Sequence, residues 1–570
     1  MKESKYHKER KAFLSRNERI EADRRPMIEL WADVADFQLA YRGKYLYSIA
    51  STGGEKNRPK RNRNQLNNKA RRALRTAAAG MMTGITSPAR PWFRLGMADP
   101  EMARNGAIKE WLHHTQSLMY RIFASSNFYD TVHQLYIELL VFATANMAAF
   151  HNYDSVARFR TYPIGSYSLD SNGCGKIDTS YFRYSQNVGQ VVKEFGLENC
   201  SNKVQKLWKD GKENAMVELL HAIEPNDGRD SLSPFAHDMP FRSVVLEVNC
   251  DERDYNKFLR TSGFRSFPCM TPRWDIVGDE VYGTDCPGIM CLGDTKGLQV
   301  GEKRKGQVID KITDPPLFGT KTAITALGGK KTPGPGEVIE TSDANAKLTG
   351  VYGNYAPNIA ELNNHIDRIE QRISETYYEN LFLLISQQEK GMTATEVAER
   401  HEEKLLVLGP VLERVHSELL DPLIERVFEL MVASGIAPPP PRGLNVKELN
   451  VEYVSILAQA QKLVAVTGLE RLTAFTANLG AVWPAAVAKI DPMVAVDEYA
   501  DSWGINPKIV RTTDEAAQIV EAQVKQAAQQ NALDQQQQQA ATAKDTASAS
   551  TMAAPGDSAS MAALQGVGVM

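Results

Sequence analysis

Four groups of residues carry side chains able to do chemistry. Gly328-Gly329-Lys330-Lys331-Thr332 has the composition of a phosphate cradle. A phosphate loop needs G-x4-G-K-[ST] after an apolar strand, and this stretch has neither the spacing nor the strand. Cys286 and Cys291 flank Pro287-Gly288. A zinc site would need a second ligand pair at a fitting distance, and none follows; packed, reduced thiols are the plainer reading. His113-His114 falls on an expected helix near Trp111 and reads as a solvated or hydrogen-bonded pair before it reads as a metal site. Asp251, Glu252 and Asp254 could hold two metals for nuclease chemistry, or form a solvated loop. HExxH, GxSxG and GxGxxG are absent. The expectation is no catalytic residue, no cofactor and no metal.

Residues 55–75, EKNRPKRNRNQLNNKARRALR, hold nine Lys or Arg against one Glu. Arg58, Lys60, Arg61, Arg63, Lys69, Arg71 and Arg72 are its candidate contacts. The run reads either as a solvated loop and helix, or as a contact with phosphates or an acidic neighbouring subunit. It has no interleaved aromatics, which excludes base stacking as its mode. The chain as a whole carries a net charge of −3, so it is not built to coat itself with nucleic acid. Its six cysteines form no CxxC pair, which suits reduced thiols in a cytosolic setting. The charged start MKESKYHKER lacks an apolar stretch, so no secretory signal is expected. No run is long and apolar enough to span a bilayer, and Leu135 to Phe150 reads as a core helix.

The elements that must carry these residues make an α+β, mainly helical chain. At 570 residues it should divide into several modules. Ile28, Trp31, Val34, Ala35 and Gln38 share one helical face. An alanine-rich helix is expected to Ala79, before Gly80 and the breaker Ser87-Pro88, and 88–96 should be extended. Residues 106–150 read as two helices, the second deeply buried. Strands should meander through 155–285, with helices at 186–195 and 199–221. Residues 286–313 return to helical character, broken by Gly288, Gly293, Gly297, Gly301 and Gly306, more glycine than a long, straight, rigid helix tolerates. A Gly/Pro-rich loop or hairpin fills 314–357. Ile359, Leu362, Ile366, Ile369, Ile373, Tyr377 and Leu381 then mark a helix to about Ser386. Gln387-Gln388-Glu389-Lys390-Gly391 breaks it. A second long helix should run to about Ser434, kinked at Gly409-Pro410. Residues 450–510 read as helical, and 513–540 as an Ala/Gln-rich helix. The Ser/Ala/Gly-rich end, 541–570, is expected to be disordered.

Several of these stretches, taken in order, resemble one family. Gly391-Met392-Thr393-Ala394-Thr395-Glu396-Val397 before a charged helix is similar to the stretch after the channel loop in podovirus portal proteins, the head-to-tail connecting protein family. The resemblance extends to Phe241-Arg242-Ser243-Val244, Pro272-Arg273-Trp274, Tyr282-Gly283, Asp314-Pro315-Pro316-Leu317 and Val451-Glu452-Tyr453-Val454-Ser455. These cover roughly 20–510. Each is weak alone, and their common order carries the weight.

The resemblance implies a portal-type fold with wing, stem, clip and crown. Residues 1–285 would be wing, 286–313 and 358–386 the stem helices, and 314–357 the clip. Residues 387–393 would be the channel loop, 394–512 a kinked wing helix and crown, and 513–540 a C-terminal helical barrel segment. It also implies a homo-oligomeric ring of twelve subunits in the virion, at one capsid vertex, assembled in the host cytoplasm. Double-stranded DNA would pass through non-specifically. Partners would be the terminase packaging motor, the major capsid and scaffold proteins, and tail adaptor proteins, with no membrane. Gln387, Gln388, Glu389, Lys390 and Gly391 would line the channel, and Lys330, Lys331 and Glu337 would meet motor and tail. Other readings stay open: a tail adaptor, scaffold or internal core protein, and a packaging ATPase or nuclease, the ATPase opposed by the missing phosphate loop.

Overall fold

The computed structural model describes residues 5–43, 65–97, 106–230, 235–249, 258–313, 317–326, 348–350, 359–387, 408–441 and 449–453, together with 46, 232–233 and scattered positions from 472 to 541. Met1–Val464 and Ala465–Met570 are separate units. In the second, 472–479 and 519–531 are helical, and every residue of 519–531 is exposed. The apolar Ile519, Val520 and Val524 share that exposure.

The first unit opens with helix α1, Lys5–Gln38. Trp31, Val34, Ala35 and Gln38 are fully buried, as their spacing requires. Arg10 and Arg24 on α1 are buried too. Arg10 donates to the Glu247 and Val248 carbonyls at 3.1 and 2.9 Å, and Arg24 to the Gly165 and Tyr167 carbonyls. Helix α2, Lys69–Ile85, runs through Gly80 instead of stopping before it. A side chain at Gly80 would lie 2.4 Å from Phe382, so this glycine allows close packing and does not end the helix.

Strand β1, Phe93–Met97, is the extended segment expected from the sequence. The Tyr120 hydroxyl accepts from the Trp92 and Phe93 amides at 2.8 and 2.9 Å and donates to the Phe93 carbonyl at 2.8 Å. Burial, largest among the causes, holds that hydroxyl protonated, well above its ordinary range. Tyr120 lies on α3, Gly106–Ser125, which is followed by α4, Phe128–Phe142. Trp92, Phe123, Phe128 and Phe159 stack into one aromatic cluster, with ring centroids 4.6–6.2 Å apart.

The expected core helix to Phe150 is shorter than its apolar run. Ala143 turns left-handed at φ 60°, and β2, Asn146–Asn152, begins. A run buried on every side fits either element, so periodicity could not separate them. β2 pairs with β3, Val156–Tyr162. Next come β4, Tyr167–Ser171, and β5, Ile177–Asn187. Helix α5, Val188–Phe195, begins at a capping box of Asn187 and Gln190. Helix α6, Asn202–Lys209, is capped by Ser201. The helix expected to 221 ends there, because Met216–Pro225 is strand β6. Its alternating Val217, Leu219 and His221 answer β5 across the sheet. β7, Phe241–Glu247, and β8, Arg260–Phe264, complete an antiparallel sheet ordered β4-β5-β6-β7-β8. The two-residue strand β9, Cys269–Met270, pairs with β2.

After a helical turn at Pro287–Met290, helix α7, Leu292–Thr313, is continuous through its glycines. β10, Leu317–Gly319, and β11, Leu348–Gly350, pair antiparallel. This agrees with a hairpin in the Gly/Pro-rich stretch. The helix expected from 358 to 386 is two: α8, Ile359–Thr376, and α9, Glu379–Gln387. Tyr378, at φ 54°, makes the break, which the unbroken apolar spacing conceals. Helix α10, Asp421–Ala433, follows a π turn at His416–Leu420. Gly409-Pro410, where a kink was expected, lies in helical backbone, and the described irregularity is the π turn. β12, Leu449–Tyr453, is a strand where helix was expected, and pairs with β1 from Phe93↔Tyr453 to Met97↔Leu449.

Candidate functional site

Helices α7 and α8 lie antiparallel, with glycines of α7 against isoleucines of α8. A side chain at Gly301 would stand 3.4 Å from Ile366, and one at Gly297 would stand 4.0 Å from Ile369. Ile366, Ile369 and Ile373 are buried, as the three-four spacing predicts. Arg372 clamps Asp294 across the pair, at 2.6 Å from Nη2 and 3.2 Å from Nε. At the break after α8, Tyr377 is fully buried and its hydroxyl donates to Gln38 Oε1 at 2.5 Å. Gln38 Nε2 in turn donates to the Gly288 carbonyl at 2.7 Å. This chain of bonds ties the end of α1 to the helical turn before α7 and to the break between α8 and α9.

The part of the basic segment from Gln65 onward docks against this pair. Gln299 Oε1 accepts from the Leu66 and Asn67 amides at 2.6 and 2.8 Å, and its Nε2 donates to the Asn67 carbonyl at 2.9 Å. Asn67 Nδ2 donates to Glu302 at 3.0 Å and Glu370 at 2.7 Å. Lys69 pairs with Glu379 at 2.9 Å. Burial pushes the Glu379 carboxyl up, but the hydrogen bonds from Lys69 and Ser374 and the nearby Arg72 charge outweigh it, and the group sits below its usual range. A cleft of about 520 Å³ remains, with Lys69, Arg71 and Arg72 facing Glu302 and Glu370. Mixed charge of this kind holds the segment to the helices more readily than it would hold an anion.

The sequence candidates therefore divide. Lys69 is spent on an ion pair within the chain, and Arg71 and Arg72 line the cleft. Arg58, Lys60, Arg61 and Arg63 lie outside the described residues. Gln387 closes α9, while Gln388, Glu389, Lys390 and Gly391 lie outside the described residues. So do Lys330, Lys331 and Glu337, between the paired strands β10 and β11. Cys286 and Cys291 are buried, and burial pushes their thiols up to about 12 and about 11. They pack as small apolar groups. Among the described residues no group of three or more His, Cys, Asp or Glu converges on a metal position.

Sequence reasoning missed Gln299, Asn67, Glu302 and Glu370, because lone polar residues far apart in sequence give no pattern. It named Arg273 only within a motif. Arg273 takes Glu418 of the π turn by its backbone amide at 2.8 Å and by Nη2 at 2.5 Å. That bond couples the residues after β9 to the turn before α10.

Residues 10–510 match a known family, described as bacteriophage head to tail connecting protein. The chain belongs to that family. The match begins within α1 and takes in every later labelled element through β12. Among individual relatives, the "Probable portal protein" of Bordetella phage BPP-1 is 40% identical over 533 residues, 92% of this chain and 93% of its own length. The "Portal protein" of Salmonella phage epsilon15 is 36% identical over 523 residues, 91% of this chain and 92% of its own. As a connector-family chain, it has its stretch of bonded polar residues, Asn67 to Glu379, well inside the matched span. No described helix is long and apolar enough to cross a membrane.

Proposed function

We propose that this chain is a portal: a head-to-tail connector that forms a ring at one capsid vertex, conducts double-stranded DNA during packaging and ejection, and docks the packaging motor and then the tail. The observation that carries this is the near full-length similarity to two phage portal proteins at 36–40% identity. The relatives' names denote a structural part, which supports a chain that conducts DNA without catalysing a reaction.

On this reading 1–285 is wing, α7 and the helices α8 and α9 are stem, and 314–357 is clip. Residues 387–393 are the channel loop, 394–512 wing helix and crown, 513–540 a barrel-like helix, and 541–570 a polar tail. The antiparallel α7–α8 pair, joined through a segment that closes with β10 and β11, supports the stem and clip assignment. The exposed helix at 519–531 supports the barrel, because its apolar residues have no cover within their own unit. A ring of twelve, the terminase motor, the capsid and scaffold proteins and the tail adaptors are the partners this role entails. The loop Gln387 to Gly391 brings one lysine and no arginine, as a conduit that must not grip phosphates requires.

Phage carrying a deletion of 387–391 test the assignment. Rings should assemble and heads should form, with few DNA-filled heads in micrographs. Normal filling would contradict the channel-loop assignment. Gold label on the chain's end should mark a single vertex per head, and label at every vertex would contradict the portal role.

A further inference from the structure

The turn between β4 and β5 holds a reactive pair that the portal reading leaves unused. Residues 172–176, Asn172-Gly173-Cys174-Gly175-Lys176, join the two strands, and Asn172, Gly173 and Cys174 are exposed. The chain has two Asn-Gly pairs, and Asn172-Gly173 is the one that lies wholly within the described residues. Asn172 Oδ1 accepts from the Cys174 and Lys176 amides at 3.0 and 3.1 Å. Among the described residues, neither Asn172 Nδ2 nor the Gly173 amide makes a hydrogen bond. A side chain at Gly173 would meet nothing within 4 Å. The turn is closed by two backbone bonds of 2.9 Å, from the Gly175 amide to the Asn172 carbonyl and from the Asn172 amide to the Lys176 carbonyl. The Gly175 carbonyl in turn accepts from Arg273 Nη2 at 3.1 Å, and the same guanidinium holds Glu418 of the π turn.

We infer that Asn172 is a site of slow self-modification, where the side-chain amide is lost by reaction with the chain's own backbone. The Gly173 nitrogen attacks Asn172 Cγ, and a C–N bond forms. Negative charge develops on Oδ1, the atom to which the Cys174 and Lys176 amides point, as donors must to stabilise an oxyanion. The Cγ–Nδ2 bond then breaks. Nδ2 gains, through water, the proton that the Gly173 nitrogen gives up, and leaves as ammonia. Water opens the cyclic imide at either carbonyl. One opening leaves aspartate at 172. The other leaves isoaspartate, in which the side-chain carbons of 172 have entered the main chain. Water is consumed, ammonia is released, and nothing is oxidised or reduced. Glycine at 173 favours the attack, because no Cβ obstructs its nitrogen. Isoaspartate lengthens the main chain within the turn and strains the two bonds that close it. The Gly175 carbonyl then shifts from Arg273, and the link to the π turn loosens. Aspartate keeps the main-chain spacing and leaves the link in place.

The test uses the full-length chain, incubated at mildly alkaline pH both natively and in urea. Peptide mass mapping reads position 172, with an isoaspartyl methyltransferase as the probe for the second product. Aspartate and isoaspartate should accumulate at 172 in the native chain at least as fast as in urea. Gly173→Ala, which the open space and the ordinary φ at 173 accommodate, should slow the native reaction about tenfold or more. The Arg273 amide, which donates to Glu418 at 2.8 Å, should exchange its hydrogen faster in step with isoaspartate content. Freshly prepared Asn172→Asp should exchange there as wild type does. Slower conversion in the native chain than in urea, or an unchanged rate in Gly173→Ala, overturns the site. Isoaspartate at 172 without faster exchange at Arg273 overturns the link to the π turn.

Discussion

From Glu138 to Ala149 every side chain is sealed from solvent, while α7 buries only Thr295, Leu298, Gln299 and Gly301 along its length. The first region closes on itself. Even its charge is answered inside the chain: Arg42 stands 3.2 Å from Glu138, and the Ile164 amide donates to the same carboxyl at 3.1 Å. Burial still pushes that carboxyl up, the larger effect, against both partners. The second region holds together through one narrow apolar seam and leaves its charged faces outward. The difference separates a region that folds on its own contacts from one that leaves most of its surface to solvent within the chain.

The largest effect that could break this contrast is in the sealed region. Phe142→Ala should cost about 3–5 kcal/mol by denaturant unfolding, since the cavity has no way to collapse. Val300→Ala on the outer face of α7 should change the same measurement by under about 0.5 kcal/mol. Similar losses at both sites would abolish the distinction. Arg273→Ala should cost about 1–3 kcal/mol, because the half-buried Glu418 loses its partner and the buried guanidinium is gone. A neutral result there would mean that the π turn is held by other contacts.

The glycines of α7 sharpen the comparison at smaller scale. Gly301→Leu should cost about 1–3 kcal/mol by forcing α8 away. Gly306→Ala meets nothing within 4 Å and should gain about 0.5–1 kcal/mol in a thermal melt. Equal signs at the two positions would show that glycine serves no packing role there. A small effect is also expected in the Lys69–Glu379 pair. The folded Glu379 carboxyl lies below its unfolded value of about 4.3, so its contribution is full above that value and is lost as pH falls through the folded one. It is under about 1 kcal/mol for a pair at this exposure. Stability curves of wild type and Glu379→Gln should separate above pH 5 and converge in acid, whereas parallel curves would remove the pair from the account.

The sequence made the seams legible and the breaks illegible. Trp31 with Val34, and Ile366 with Ile369 and Ile373, stand where their spacing puts them, because one-sided burial imposes a period. The meander of strands was readable from alternation and turns. Tyr378 at positive φ gives no compositional sign, so α8 and α9 read as one helix. The run from Leu135 to Phe150 lost its period because it is buried all round, which hid the strand at its end. Glycine in α7 read as weakness, where Gly297 and Gly301 serve close approach to isoleucines. Of the residues expected to contact DNA, motor, tail or a neighbouring subunit, only Lys69, Arg71, Arg72 and the backbone of Gln387 fall within the described residues. The bonds among Asn67, Gln299 and Glu370 join positions too distant in sequence for any local pattern to mark.

Electron microscopy of the purified full-length chain, with rotational symmetry counted from end-on views, tests the central claim most directly. The account predicts a ring of twelve with an axial hole wide enough for duplex DNA. A compact oligomer without a hole, or an open filament of head-to-tail copies, would contradict it.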